Sequence, residues 1–160
     1  MIDILPQIAH NYIAQAAFWG WFTAQAIKFV WQLVRHGKFR PERLVGSGGF
    51  PSSHTSFVIA TTTAIYLKSG ASDLFILSLV FSIVVMYDAS GVRRQAGRQA
   101  QILNQIVEYF SKRNIPVILK DREIALKELL GHTPVEVFGG LVLGILIAYI
   151  QYFYVYNGVI

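Results

Sequence analysis

Between Asp3 and Lys28 the sequence runs for 24 residues without an Asp, Glu, Lys or Arg, and the 24 residues after Glu136 carry none either. About 20 mostly apolar residues are enough to cross the hydrocarbon core of a bilayer as a helix. Phe50 to Leu67 is also uncharged, and Leu74 to Tyr87 is an apolar run bounded by Asp73 and Asp88. Composition agrees: 54% of the residues are hydrophobic and 14% charged, where a soluble domain carries about a quarter charged. In lipid every backbone N–H and C=O must be satisfied within the segment, so the spans are helices. Strand-like runs such as "FSIVVMY" are overruled for the same reason.

These observations predict an all-α integral membrane protein in one domain, 1–160, with four spans near 8–34, 53–67, 71–92 and 134–156. The N-terminal "MIDILPQIAH" has no basic leader, so no cleaved signal is expected. The chain has no cysteine, which excludes disulfides and thiolate metal sites.

The net charge of +5 could suit nucleic acid, but its placement points to a membrane. With four spans, the segments 35–52 and 93–133 share one side. They hold Arg35, Lys38, Arg40, Arg43, Arg93, Arg94, Arg98, Lys112, Arg113, Lys120, Arg122 and Lys127, which leaves only Lys28 and Lys68 of the 14 basic residues. Basic loops stay in the cytoplasm, so this side is expected to be cytoplasmic and the termini opposite. Within it, 95–131 is the one sizeable polar segment. "RQAQILNQIVEYFSKR" places Ile102, Leu103, Ile106, Val107 and Phe110 on a helical stripe, and "KDREIALKELLGH" restarts a helix after Pro116. This cytoplasmic insertion either packs its stripe on the bundle, lies at the interface or caps the site.

The unusual polar residues gather at the same end. Lys28 lies six residues before the end of the first span, about 9 Å at 1.5 Å per residue. "GSGGFPSSH" leads into the second span, Asp88, Ser90, Arg93 and Arg94 close the third, and His132 and Glu136 open the fourth. Several have plain structural explanations. Ser52 and Ser53 are good N-cap residues, and "TPVE" is a capping box with proline at the first helical position. Asp88 can neutralise Lys28 or an arginine, and Arg93 and Arg94 obey the positive-inside bias. Gly140 and Gly144 form a GxxxG pattern suited to close helix packing, including contact between copies of the chain. The histidines are harder to explain this way, because each stands beside a helix N-terminus, where a cation gains nothing from the dipole.

As a set, the groups suit phosphate. Lysine and arginine supply charge, and guanidinium forks match phosphate oxygens. Helix N-termini and a glycine loop add backbone N–H donors. Two histidines can divide nucleophile and general-acid work, and a carboxylate one turn from His132 can orient its ring. No carboxylate cluster for magnesium accompanies them, so neither a metal nor another cofactor is expected.

"RPE" (Arg40-Pro41), "PSSH" (Pro51 to His54), "ASGVRRQAG" and "LGHTPVE" also occur in this order. The combination resembles the type 2 phosphatidic acid phosphatases, relatives of the vanadium-dependent haloperoxidases, and most closely their divergent bacterial and plastid branch. Serine replaces the family's glycine in "PSSH", and Glu136 its aspartate. Lys28 precedes Arg40 by twelve residues where the family has seven, and Arg93 or Arg94 must supply the family arginine across an insertion. The resemblance implies His132 as nucleophile, Glu136 fixing its tautomer and His54 as the acid that protonates the leaving alkoxide. Lys28, Arg40, Ser53, Arg93 and Arg94 would hold the phosphoryl oxygens, with Ser52, Asp88 and Ser90 in support.

The leading expectation is thus a metal-independent phosphatase that hydrolyses a phosphomonoester or pyrophosphate lipid through a phosphohistidine, in the cell membrane with its site on the cytoplasmic side. Its partners would be a phosphorylated lipid and the bilayer, and not nucleic acid. The resemblance favours phosphatidylglycerol phosphate over phosphatidic acid, with undecaprenyl pyrophosphate as runner-up. A lipid or anion transporter, or a non-catalytic membrane subunit, would use the same basic cluster for binding alone. A transporter would carry polar residues through to the far side, where this sequence has only the modest Ser and Thr of "HTSFVIATTT". A vanadate-dependent oxidase is a remote third reading.

Overall fold

A computed structural model describes residues 4–36, 49–113, 126 and 131–157. Among these residues there are α-helices and no β-strand: α1 (Ile4–Ala9), α2 (Tyr12–His36), α3 (Ser53–Ser69), α4 (Asp73–Ser90), α5 (Val92–Ser111) and α6 (Pro134–Gln151), the last running into a π-helical turn, Tyr152–Tyr156.

Helices lie within two residues of the expected segments 53–67, 71–92 and, with the π-helical turn, 134–156, and the differences elsewhere have local causes. The first, 8–34, is divided at His10 and Asn11. The Asn11 side-chain oxygen accepts from the N–H groups of Ile13 (2.9 Å) and Ala14 (3.2 Å), so α2 begins afresh at Tyr12. The polar insertion is helical from Val92, directly after α4, and not only from 95. The second helix expected after Pro116 falls on residues outside those described, apart from Leu126.

α3 is the hub and packs against α2, α4 and α6. Small residues make the approach close. A Cβ on Gly140 would lie 2.5 Å from the Ser52 carbonyl oxygen, and one on Gly144 2.7 Å from that of Ser56. Gly20 of α2 meets Ser56 and Ala60 in the same way. The GxxxG face that the sequence offered to a second copy is therefore covered by α3 of the same chain.

The packing is inverted relative to a soluble bundle. The largest fully buried side chains are Thr55, Ser52, Ser56 and Ser82, joined by alanines such as Ala16, Ala24, Ala60 and Ala148. Phe18, Trp21 and Phe22 of α2, Leu77, Phe81 and Val84 of α4, and Phe138 and Leu146 of α6 face outward. Small and hydroxyl residues inside with large apolar ones outside is the arrangement of helices packed in lipid. Among the described residues two helical stretches, Asp73–Ser111 and Pro134–Tyr156, are long and apolar enough to cross a membrane, and little of either apolar window is buried. The protein is an all-α membrane protein. α2 is long enough but is diluted by Gln15, Gln25, Lys28 and Gln32, and α3, with 17 residues, is shorter and packs against three neighbours.

Buried hydroxyls tie the helices together. Thr62 Oγ1 lies 2.6 Å from Ser78 Oγ and 2.8 Å from Ser82 Oγ, and Ser56 donates to the Gly20 carbonyl at 2.8 Å. At the end remote from His54 and His132, Tyr12 donates to the Ala148 carbonyl at 2.9 Å, and its ring packs at a tilt against those of Tyr152 and Tyr156.

Candidate active site

The site is built from three helix ends and the side of a fourth helix. At the start of α3, Ser52 is the N-cap. Its Oγ accepts from the Thr55 N–H (3.3 Å) and the Thr55 hydroxyl (3.0 Å), and its own N–H donates to the Glu136 carbonyl at 2.9 Å. The "PSSH" turn is thereby fastened to the first turn of α6. Ser53, the first residue of α3, is buried and accepts from Lys28 Nζ at 3.1 Å. Lys28 thus reaches the site from within α2, its stem packed beside Gly49.

At the start of α6 the expected capping box is formed. Thr133 Oγ1 accepts from the Glu136 N–H (3.3 Å), while Glu136 Oε2 accepts from the Thr133 N–H (3.1 Å). The same Oε2 lies 3.0 Å from His132 Nδ1, so one carboxylate oxygen both caps the helix and holds the imidazole. The N–H of His132 donates to the Ala89 carbonyl of α4 at 2.8 Å, which fixes the loop before α6 to the end of α4. Gly131 turns the chain there with φ +84°, and a Cβ on it would collide with the backbone of Arg93 and Arg94.

His132 is 2% exposed, and its Nε2 is buried with no hydrogen-bond partner among the described residues. With Nδ1 donating to a carboxylate, Nε2 carries the lone pair. Burial pulls the ring's pKa below the ordinary 6.5; the Glu136 hydrogen bond opposes this and the Lys28 charge adds to it. Such a ring is unprotonated at neutral pH.

The His54 ring stands 6.1 Å from that of His132, centroid to centroid, at 64°. Both line a cavity of about 290 Å³ with Val84, Val85, Asp88, Ala89 and Arg93. Arg93 Nε donates to Asp88 Oδ2 at 2.6 Å across the Gly91 break between α4 and α5. Only one of the guanidinium's five donors is used in that bond. Among the described residues no three His, Asp or Glu side chains are grouped to hold a metal ion.

The sequence model of the divergent PAP2 family matches residues 9–147. The chain belongs to the divergent PAP2 family. A similar protein is the "Uncharacterized membrane protein YuiD" of Bacillus subtilis (strain 168), 40% identical over 139 residues, which are 82% of this chain and 88% of that one. No solved structure matches the chain.

In this divergent PAP2 protein, Lys28, Ser52, Ser53, His54, Asp88, Arg93, His132 and Glu136 come together at one end of the bundle. Arg40 lies outside the described residues. Arg94 is at the edge of the group, its backbone against Gly131, and is not among the cavity's lining residues. Ser90 returns its hydroxyl to the Met86 carbonyl at 2.8 Å within α4. Three contributors carry no signal in the sequence: Ala89, which acts through its carbonyl, and Val84 and Val85, which wall the cavity from inside an apolar run.

Proposed function

We propose that the protein is a multi-pass lipid phosphatase whose site faces the cytoplasm, with all four expected spans crossing the bilayer. The observation that carries the chemistry is the His132 ring, held by Glu136 at Nδ1 and with an Nε2 that has no partner among the described residues, beside a cavity that His54 also lines. A buried imidazole held in one tautomer by a carboxylate is suited to nucleophilic attack.

In this reading His132 Nε2 attacks phosphorus, an N–P bond forms and the P–O bond to the lipid breaks. His54 gives a proton to the departing alkoxide. Water then attacks the phosphohistidine, His54 takes the water's proton, and inorganic phosphate leaves as the N–P bond breaks. Lys28, Arg93 and Ser53 are the described groups available to the phosphoryl oxygens, with Arg40 and Arg94 proposed alongside them. Charge on the transferring group is met by side-chain cations, so no metal is assigned a role. The apolar wall of Val84 and Val85, with Val84 itself exposed on the outer face of α4, supports a substrate with a lipid portion over a soluble phosphate ester. Phosphatidylglycerol phosphate or a phosphatidic acid-like monoester is the favoured class, with a pyrophosphate lipid as the other.

The test is phosphate release by purified protein from phosphatidylglycerol phosphate, phosphatidic acid and undecaprenyl pyrophosphate, with a chelator present. Release from at least one lipid, inhibited by vanadate and lost in His132→Ala, is the expected result. Binding of these lipids without release would favour the transporter or subunit reading, and a strict magnesium requirement would sink the mechanism.

A further inference from the structure

α5 packs on the bundle chiefly through α4. Of its 20 residues only Gly97 and Ala100 are buried. Ile102, Leu103, Ile106 and Tyr109 are each about half exposed (57, 49, 46 and 54%), a large apolar surface for a helix with so many polar residues. These residues, with Val92 and Phe110, fall on one side of the helix, while Arg98, Gln101, Gln105, Glu108 and Lys112 fall on another. At 1.5 Å per residue the helix is about 30 Å long.

Its charge is one-sided. Arg98, Lys112 and Arg113 are exposed, and the one acid, Glu108, is paired with Lys112 at 2.7 Å. Arg113, just past the end of the helix, also lies 3.7 Å over the Tyr109 ring. α5 follows α4 directly, at the end of the bundle that holds His132, and the two meet at Gly91 (φ −104°, ψ −86°), which departs from helical values. The exposed apolar surface of α4, including Val84 and Tyr87, leads up to that junction.

We propose that α5 lies along the surface of the leaflet at the site end of the bundle, its apolar face among the acyl chains and its basic residues on anionic phospholipid headgroups. A strongly amphipathic helix with Lys and Arg beside its apolar face settles in this position, with the apolar side about 5–10 Å into the boundary region. Anionic lipid is selected because each exposed Lys or Arg near the surface gains from the negative potential. The same helix turned outward into water would leave Ile102, Leu103, Ile106 and Tyr109 wetted. The proposal rests on the helix and its charge and is independent of the reaction assigned to the histidines.

The chain has no cysteine, so single probes can be placed without background. A bimane label is attached to Ile106→Cys and, separately, to Gln101→Cys in the full-length protein, reconstituted in phosphatidylcholine vesicles with and without phosphatidylglycerol. Quenching is measured with brominated acyl chains and with aqueous iodide. The probe at 106 is expected to be quenched by the brominated lipid and shielded from iodide, and the probe at 101 to show the reverse. Phosphatidylglycerol should strengthen lipid quenching at 106, and the triple change Arg98→Gln, Lys112→Gln, Arg113→Gln should abolish that gain. Leu103→Cys, on the same face, provides the readout if Ile106→Cys does not fold. Iodide quenching at 106 would overturn the proposal. Shielding from both quenchers would also overturn it, because the face would then be covered by protein, either the rest of the chain or a second copy. Equal lipid quenching in both vesicle types would remove the anionic headgroups from it.

Discussion

At the residue scale, Glu136 has two tasks that can be separated. Glutamine can still complete the capping box, because its amide oxygen accepts from the Thr133 N–H, but it no longer presents a carboxylate to His132 Nδ1. Glu136→Gln should therefore keep its thermal midpoint while kcat falls about 10–100-fold, the usual scale for losing a group that orients an imidazole. Burial already lowers the His132 pKa, so the acid limb of the kcat/KM profile should lie below the ordinary value of about 6.5. The Glu136 hydrogen bond is the chief influence raising that pKa. Its loss should move the limb to still lower pH, and an upward move would contradict the pairing. His54 is read through its leaving group: His54→Ala should slow a lipid alkoxide about 10²–10⁴-fold and p-nitrophenyl phosphate far less. Equal defects on both would make His54 a phosphate binder.

At the scale of elements, α3 depends on close approach and on hydroxyl contacts, and each can be changed alone. A Cβ at 144 would sit 2.7 Å from the Ser56 carbonyl oxygen and 3.0 Å from the Ala60 nitrogen, both backbone atoms. Gly144→Leu should separate α3 from α6 and cost about 1–3 kcal/mol, the usual range for overpacking, read as a lowered thermal midpoint in detergent. Thr62→Val removes the bonds to Ser78 and Ser82 while preserving shape. Interhelical hydrogen bonds in membranes contribute about 0.6 kcal/mol on average and at most about 1.7, so the loss should be measurable but smaller than that at Gly144. The reverse order would mean that hydroxyl pairing, and not close approach, dominates the α3 contacts.

For the whole molecule, the prediction is topological. The basic segments flank the end of the bundle where the histidines meet, so that end should face the cytoplasm. A cysteine introduced at Lys112, exposed just after α5, should react with an impermeant maleimide only after cells are opened. Labelling from outside intact cells would invert the orientation and move the proposed site to the opposite face.

What the sequence by itself determined was whatever depends on solvent or on near neighbours. Uncharged runs in a chain with few charges demand helices in lipid, and the bounds of α3, of α4 and of α6 taken with its π-helical turn follow within two residues. Ser52 and "TPVE" mark helix starts through bonds spanning three residues, and so are written locally. The gathering of Lys28, His54, Asp88, Arg93 and His132 at one end was legible too, because consecutive antiparallel helices bring the end of one and the start of the next to the same side. Tertiary structure alone decided the contacts between distant residues: Lys28 with Ser53, Ser52 with the Glu136 carbonyl, His132 with the Ala89 carbonyl, and Thr62 with Ser78 and Ser82. It also decided that Gly140 and Gly144 serve contact with α3. These depend on how helices rotate and slide as their small residues come into contact, and residue type at either end of such a contact does not encode that geometry.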